Sequence, residues 1–197
     1  MIKVLVYGED TDSTGVQLYE VLSAVFRITY ISGTRFYDCG ETPELLLVES
    51  DRKFQCNFED GIVLFKRMSA PVEIDRCFCA IAASDNIQAL QALKNTDCRV
   101  ITCGMSIRDT LTLSSAGEQS AAVSLQRGIH TLSGAVEESR EVLLRLRRAR
   151  PPYTVLAAAA LLLLCGRQFS HKNTLNFPDE SKDVILPWTE DLADTFA

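Results

Sequence analysis

Ile2-Lys-Val-Leu-Val-Tyr-Gly8-Glu9-Asp10-Thr-Asp12-Ser13-Thr14-Gly15 opens the chain as an apolar strand, a Gly-started turn and the beginning of a helix. The strand spans Ile2–Tyr7. A helix over residues 14–26 follows, because Val16, Leu18, Val21, Leu22 and Val25 recur at helical spacing. The layout is that of a phosphate-binding loop, in which a Lys precedes a hydroxyl pair and meets the β- and γ-phosphates. Here Asp12 precedes Ser13 and Thr14, and Glu9 and Asp10 add two further carboxylates. Acidic groups at a helix N-terminus suit the helix dipole but repel a polyphosphate. The stretch therefore predicts the start of an α/β sheet and argues against polyphosphate turnover.

Composition agrees with a globular domain. The chain has 197 residues, 47% of them hydrophobic, and a formal net charge of -6. That is enough apolar material for one core. The negative balance and the lack of a basic block exclude nucleic acid as an expected partner. The seven cysteines are an odd number, and several lie in apolar runs such as Cys77-Phe-Cys79-Ala-Ile. They read as reduced, buried thiols of a cytoplasmic protein. Cys77 and Cys79 are one residue apart, and no second pair has zinc-ligand spacing, so neither a metal nor another cofactor is expected. The N-terminus has no signal-peptide layout. The longest apolar run, residues 155–165, is too short to span a bilayer, so no membrane partner is expected.

Further along, Ile28–Ile31 and residues 44–49, 61–66, 77–82 and 99–102 are apolar runs of strand length. Runs apolar on both faces fit a parallel sheet covered by helices. Residues 86–93 read as a short helix. After Gly104 the texture changes. Residues 110–115, 121–126, 130–132 and 138–146 are separated by turns at Gly117, Gly128 and Gly134 and predict an antiparallel meander with one wet face. Pro151 and Pro152 then start a buried Ala/Leu helix that runs to about Cys165 and stops at Gly166. Residues 1–166 are expected to form the domain. Residues 167–197 read as a polar tail or strap carrying one apolar patch, residues 184–188.

In order, these elements resemble the central, ATP-binding domain of the Mur ligase family, the amide-forming enzymes of bacterial peptidoglycan assembly. Five places carry the resemblance. Gly8 to Thr14 matches the family's Gly-Thr-Asn-Gly-Lys-Thr-Thr loop in position and length. Pro43-Glu-Leu-Leu-Leu-Val-Glu49-Ser50 is similar to its strand ending in Glu-Val-Ser, whose Glu serves magnesium. Ala82-Ala-Ser-Asp85-Asn86 resembles its Asn-x-Asp-Asp segment. Arg99-Val-Ile-Thr-Cys-Gly104, with Asp109 beyond it, resembles its Val-Ile-Thr-Phe-Gly strand and following acid. Residues 153–166 resemble its Leu-Ala-Ala helix ending in Gly. The resemblance implies a Rossmann-like, P-loop-like sheet.

The departures fall on the chemistry. Asp12 stands for the loop lysine. Pro151 and Thr154 stand for the two helix-start asparagines, and Arg150 for the His before them. No Asn-x-x-x-Asp-His element and no counterpart of the carbamylated lysine is present, and the family's flanking domains are expected to be absent. Phosphoryl transfer depends on cations positioned around the phosphates. The expectation is a non-catalytic domain that acts as a binding or interaction protein for an unidentified protein or small molecule. The alternative is a nucleotide- or metal-dependent enzyme, or binding module, with an altered site at the sheet's C-terminal edge. A receiver domain is a second resemblance at the first strand, with Glu49 where a phosphorylatable Asp would stand. The meander and the Ala-rich helix do not belong to it.

The candidate crevice consists of Gly8, Asp10, Asp12, Ser13, Thr14, Glu49, Asp85 and Asn86, expected together at one end of the sheet. Glu9, Asp10 and Asp12 read as helix caps or as oxygen ligands for a cation. Glu49 reads as a crevice ligand or as a relic at the sheet edge, and Asp85 and Asn86 as crevice residues or caps. His130 and His171 have no nucleophile beside them in a recognisable arrangement. Arg140, Arg145, Arg147, Arg148 and Arg150 are the one basic concentration, either a solvated face or a site for an acidic partner.

Overall fold

Val4 and Val6 face one side of β1 (Ile2–Tyr7), Leu5 and Tyr7 face the other, and all four are buried. A strand buried on both faces needs helices above and below it. The computed structural model describes residues 1–9, 13–52, 55–67, 73–167 and 174–175. After β1 come α1 (Thr14–Leu22), β2 (Ile28–Ile31), β3 (Phe36–Tyr37), β4 (Leu45–Ser50), β5 (Gln55–Phe65), β6 (Glu73–Ala83), α2 (Ile87–Leu93) and β7 (Arg99–Gly104). Then follow β8 (Leu111–Ala116), β9 (Ser120–Leu125), β10 (Ile129–His130), β11 (Val136–Glu137), β12 (Arg140–Arg145), α3 (Pro152–Leu164) and β13 (Thr174–Leu175).

Eleven of these strands form one sheet in the order β13-β12-β9-β8-β7-β6-β5-β1-β4-β2-β3. From β2 through β8 every neighbouring pair is parallel. β8, β9 and β12 then pair antiparallel, and β13 joins β12 in parallel. The mostly parallel sheet with its antiparallel continuation is the architecture expected from the change of texture near Asp109. β8 overlaps β7 by only two residue pairs, Cys103 with Leu111 and Gly104 with Thr112. This end-on overlap lets a short connection join two parallel neighbours, which otherwise need a crossover.

Several details differ from the sequence reading. β5 and β6 begin at Gln55 and Glu73, well before residues 61 and 77, and β13 adds a strand within the expected tail. α1 stops at Leu22, short of residue 26, and Phe26 enters the core beyond it through a turn. Residues 130–132 do not extend the meander, because Ile129 and His130 pair with Val136 and Glu137 in a separate two-stranded sheet. β3 was not foreseen: two residues give no periodicity to read.

α1 and α3 cover one face of the sheet and α2 the other. Tyr153 through Leu164 are all buried, so α3 is apolar around its whole circumference. Pro152 occupies its first turn. Gly166, at φ 61°, ends it, with Gly166 N donating to Leu163 O and Arg167 N to Leu162 O. Among the described residues no helix is long and apolar enough to cross a membrane. The expected tail falls almost wholly outside the described residues.

Candidate functional site

The chain order reverses beside β1. β4 and β2 lie on one side of it, β5, β6 and β7 on the other. A doubly wound sheet opens a crevice at the carboxyl ends of the strands at such a reversal. Gly8, Glu49 and Lys66 come from the ends of β1, β4 and β5 and meet there. Gly8 has φ 150°, which favours glycine, and its N–H donates to Ser50 O at 3.1 Å.

Lys66 fills the crevice. Its backbone N–H donates to Tyr7 O at 2.7 Å, and Asn86 Nδ2 donates to its carbonyl at 2.8 Å. The Tyr153 hydroxyl of α3 donates to the carbonyl of the preceding Phe65. Thus fixed, the Lys66 ammonium lies 2.5 Å from Glu49 Oε1 and donates to Glu9 O at 3.0 Å. The Lys66 side chain is 1% exposed and that of Glu49 7%. The Tyr30 hydroxyl donates to Glu49 Oε2, the other carboxylate oxygen. Burial and then this contact raise the Tyr30 pKa above its usual 10.0. Tyr30 itself is held by stacking on Tyr37 and by a tilted ring contact with Tyr19. Gly15 of α1 packs on the carboxylate from the remaining side, where an added Cβ would lie 2.2 Å from Oε2.

The other expected residues divide. Ser13 is the N-cap of α1, makes no side-chain cap bond and accepts from Gln17 Nε2 at 2.6 Å. Thr14 is buried in the first turn. Asp10 and Asp12 lie outside the described residues. Asn86 caps α2 through Oδ1, which accepts from Ala89 N at 3.0 Å, and so serves both as a cap and as a brace for Lys66. Asp85 is exposed and pairs with Arg67. Asp109 is 3% exposed and accepts from Ser106 N at 2.9 Å, closing the turn after β7.

The residue that sequence reasoning missed is Lys66. It reads as the polar end of the run Gly61-Ile-Val-Leu-Phe-Lys66. The available signal was its place at the end of a doubly buried strand. The magnesium ion implied at Glu49 does not fit this donor set. Magnesium takes oxygen ligands at about 2.0–2.1 Å in an octahedron. Here an ammonium already approaches one carboxylate oxygen, a hydroxyl takes the other, and the group is sealed from solvent.

The fold is a doubly wound, mostly parallel α/β sheet extended by an antiparallel meander. Solved Mur ligases are similar to it. A murein peptide ligase, Mpl, of Psychrobacter arcticus is 11% identical with a TM-score of 0.49, covering 84% of this chain and 44% of that one. MurF of Acinetobacter baumannii is 13% identical with a TM-score of 0.47, over 84% of this chain and 42% of its own. MurF ligase of Thermotoga maritima, solved in complex with ADP, is 12% identical with a TM-score of 0.46, over 85% and 46%. The chain spans less than half the length of each of these structures. No protein-family model matches the chain, and no curated protein does.

Proposed function

We propose that the chain is a non-catalytic Mur-ligase-like domain, formed by residues 1–166 with residues 167–197 as its tail, that acts as a binding or interaction protein in a bacterial cytoplasm. One observation carries this reading. Glu49, the position that resembles the family's magnesium residue, is neutralised from within by Lys66 and sealed by Tyr30 and Gly15. A metal at this carboxylate would have to displace the Lys66 ammonium, whose charge repels it. In sequence, Asp12 also reverses the charge that would meet the β- and γ-phosphates. At about 4 Å and an effective dielectric of about 20, a single pair interaction is worth about 4 kcal/mol, so the reversal outweighs one loop hydrogen bond. Gly8, Ser13, Thr14 and Glu49 are then the retained frame of a ligand crevice, with Asp85 and Asn86 beside it.

Calorimetry and thermal shift with magnesium and ATP test the reading. The expected result is no heat of binding and an unchanged melting temperature at millimolar nucleotide. Stoichiometric binding with phosphate release would refute it.

A further inference from the structure

Arg147, Arg148 and Arg150 follow β12 and line a cleft of their own. Residues 146–150 leave β12 for α3 and pass alongside α1, and between them lies a cleft of about 370 Å³. Tyr19, Val21 and Leu146 give it an apolar lining, and its charged residues are Glu20, Arg147, Arg148 and Arg150. Arg148 Nη2 donates to Glu20 Oε2 at 2.6 Å, and Arg150 Nη2 donates to the same oxygen. Neither Arg148 nor Arg150 has another hydrogen bond or ion pair among the described residues. Each guanidinium carries five N–H donors. Two of them therefore share a single carboxylate oxygen, although the Arg150 side chain is only 10% exposed. Three arginines and one glutamate leave the cleft with an excess of positive charge. That local excess stands against a net charge of -6 for the whole chain.

We propose that this cleft binds an acidic peptide segment of a partner protein, one in which an apolar side chain stands beside carboxylates. The apolar side chain lies on Tyr19 and Leu146, and the carboxylates complete the guanidiniums of Arg148 and Arg150. A cleft lined by a tyrosine, aliphatic side chains and arginines has the composition of a protein-recognition surface. The acidic balance of the chain disfavours a nucleic acid, whose affinity rests on phosphate neutralisation. The proposal rests on the reading of the chain as an interaction domain and names where it binds.

The test is a titration of the ¹⁵N-labelled full chain with the peptide Glu-Asp-Leu-Trp-Asp-Glu, followed through the arginine Nε–Hε resonances. The expected result is movement of the Arg148 and Arg150 signals, weakened by added salt, with affinity at least ten-fold lower in Arg148→Ala. Arg148 is the safe variant because its side chain is 65% exposed. A peptide with Lys in place of each acid should leave the signals still. No movement with the acidic peptide, an unchanged affinity in Arg148→Ala, or the same shifts produced by inorganic phosphate alone would overturn the proposal. Magnesium-dependent ATP turnover would refute the non-catalytic reading without touching these resonances, so the two fail separately.

Discussion

The ammonium of Lys66 lies 2.5 Å from Glu49 Oε1, and both side chains are closed off from solvent. Each ion alone would be costly to bury, so the pair holds only while both members are present. Lys66 also ties the turn after β1 through Glu9 O. The crevice is thereby closed by the chain's own cation.

Replacing one partner should expose that dependence. Lys66→Met leaves a buried carboxylate uncompensated and should cost about 3–5 kcal/mol. Adding Glu49→Gln to it should recover most of the loss, because two neutral side chains of similar shape replace the pair. Urea denaturation of the single and double variants gives the coupling directly. Additive losses would show that the pair is not a unit.

Gly15 supplies the missing wall. Gly15→Ala drives a methyl into Glu49 Oε2, and the carboxylate is held by Lys66 and Tyr30 against retreat. We expect a loss of about 1–3 kcal/mol from overpacking, despite the better helix propensity of Ala. In a Lys66→Met/Glu49→Ala background the same change should be neutral or stabilising, read as a shift of the denaturation midpoint.

Leu161 is fully buried in α3, against the sheet and α1. Leu161→Ala should cost about 2–5 kcal/mol through the cavity it leaves. An unchanged melting temperature would contradict the packing of α3 as the central helix.

Two groups give the stability a pH dependence. Burial raises the Glu20 pKa, but the hydrogen bonds from Arg148 and Arg150 outweigh it and hold the carboxyl below its usual 4.5. Its contribution is present above about 4.5 and is lost as pH falls through the lower folded value. Tyr30 has the opposite sense. Its raised pKa gives a contribution that is complete below 10.0 and is lost as pH climbs above it. A denaturation midpoint measured across pH should fall off at both ends, and Tyr30→Phe should remove the Tyr30-specific part of the alkaline loss.

Much of this fold was legible because its strands are buried on both faces. Runs such as Val4-Leu5-Val6-Tyr7 have no polar alternation, and that alone marks a covered parallel sheet. Pro152 and Gly166 bounded α3 for the same local reasons that cap any helix. Glu49 was found through its place at a strand end. Its partners were not legible, since Tyr30 and Lys66 are 19 and 17 residues away in sequence and meet it only through the strand order. The β10–β11 hairpin escaped because a two-residue strand is fixed by its pairing, not by its own pattern.

The most direct measurement of the central claim is manganese binding, read by electron paramagnetic resonance, in the natural chain and in Glu49→Gln, with and without ATP. If Lys66 holds the cation's place at Glu49, the spectrum of free manganese should persist unchanged in both proteins. A stoichiometric bound ion that Glu49→Gln removes would contradict it.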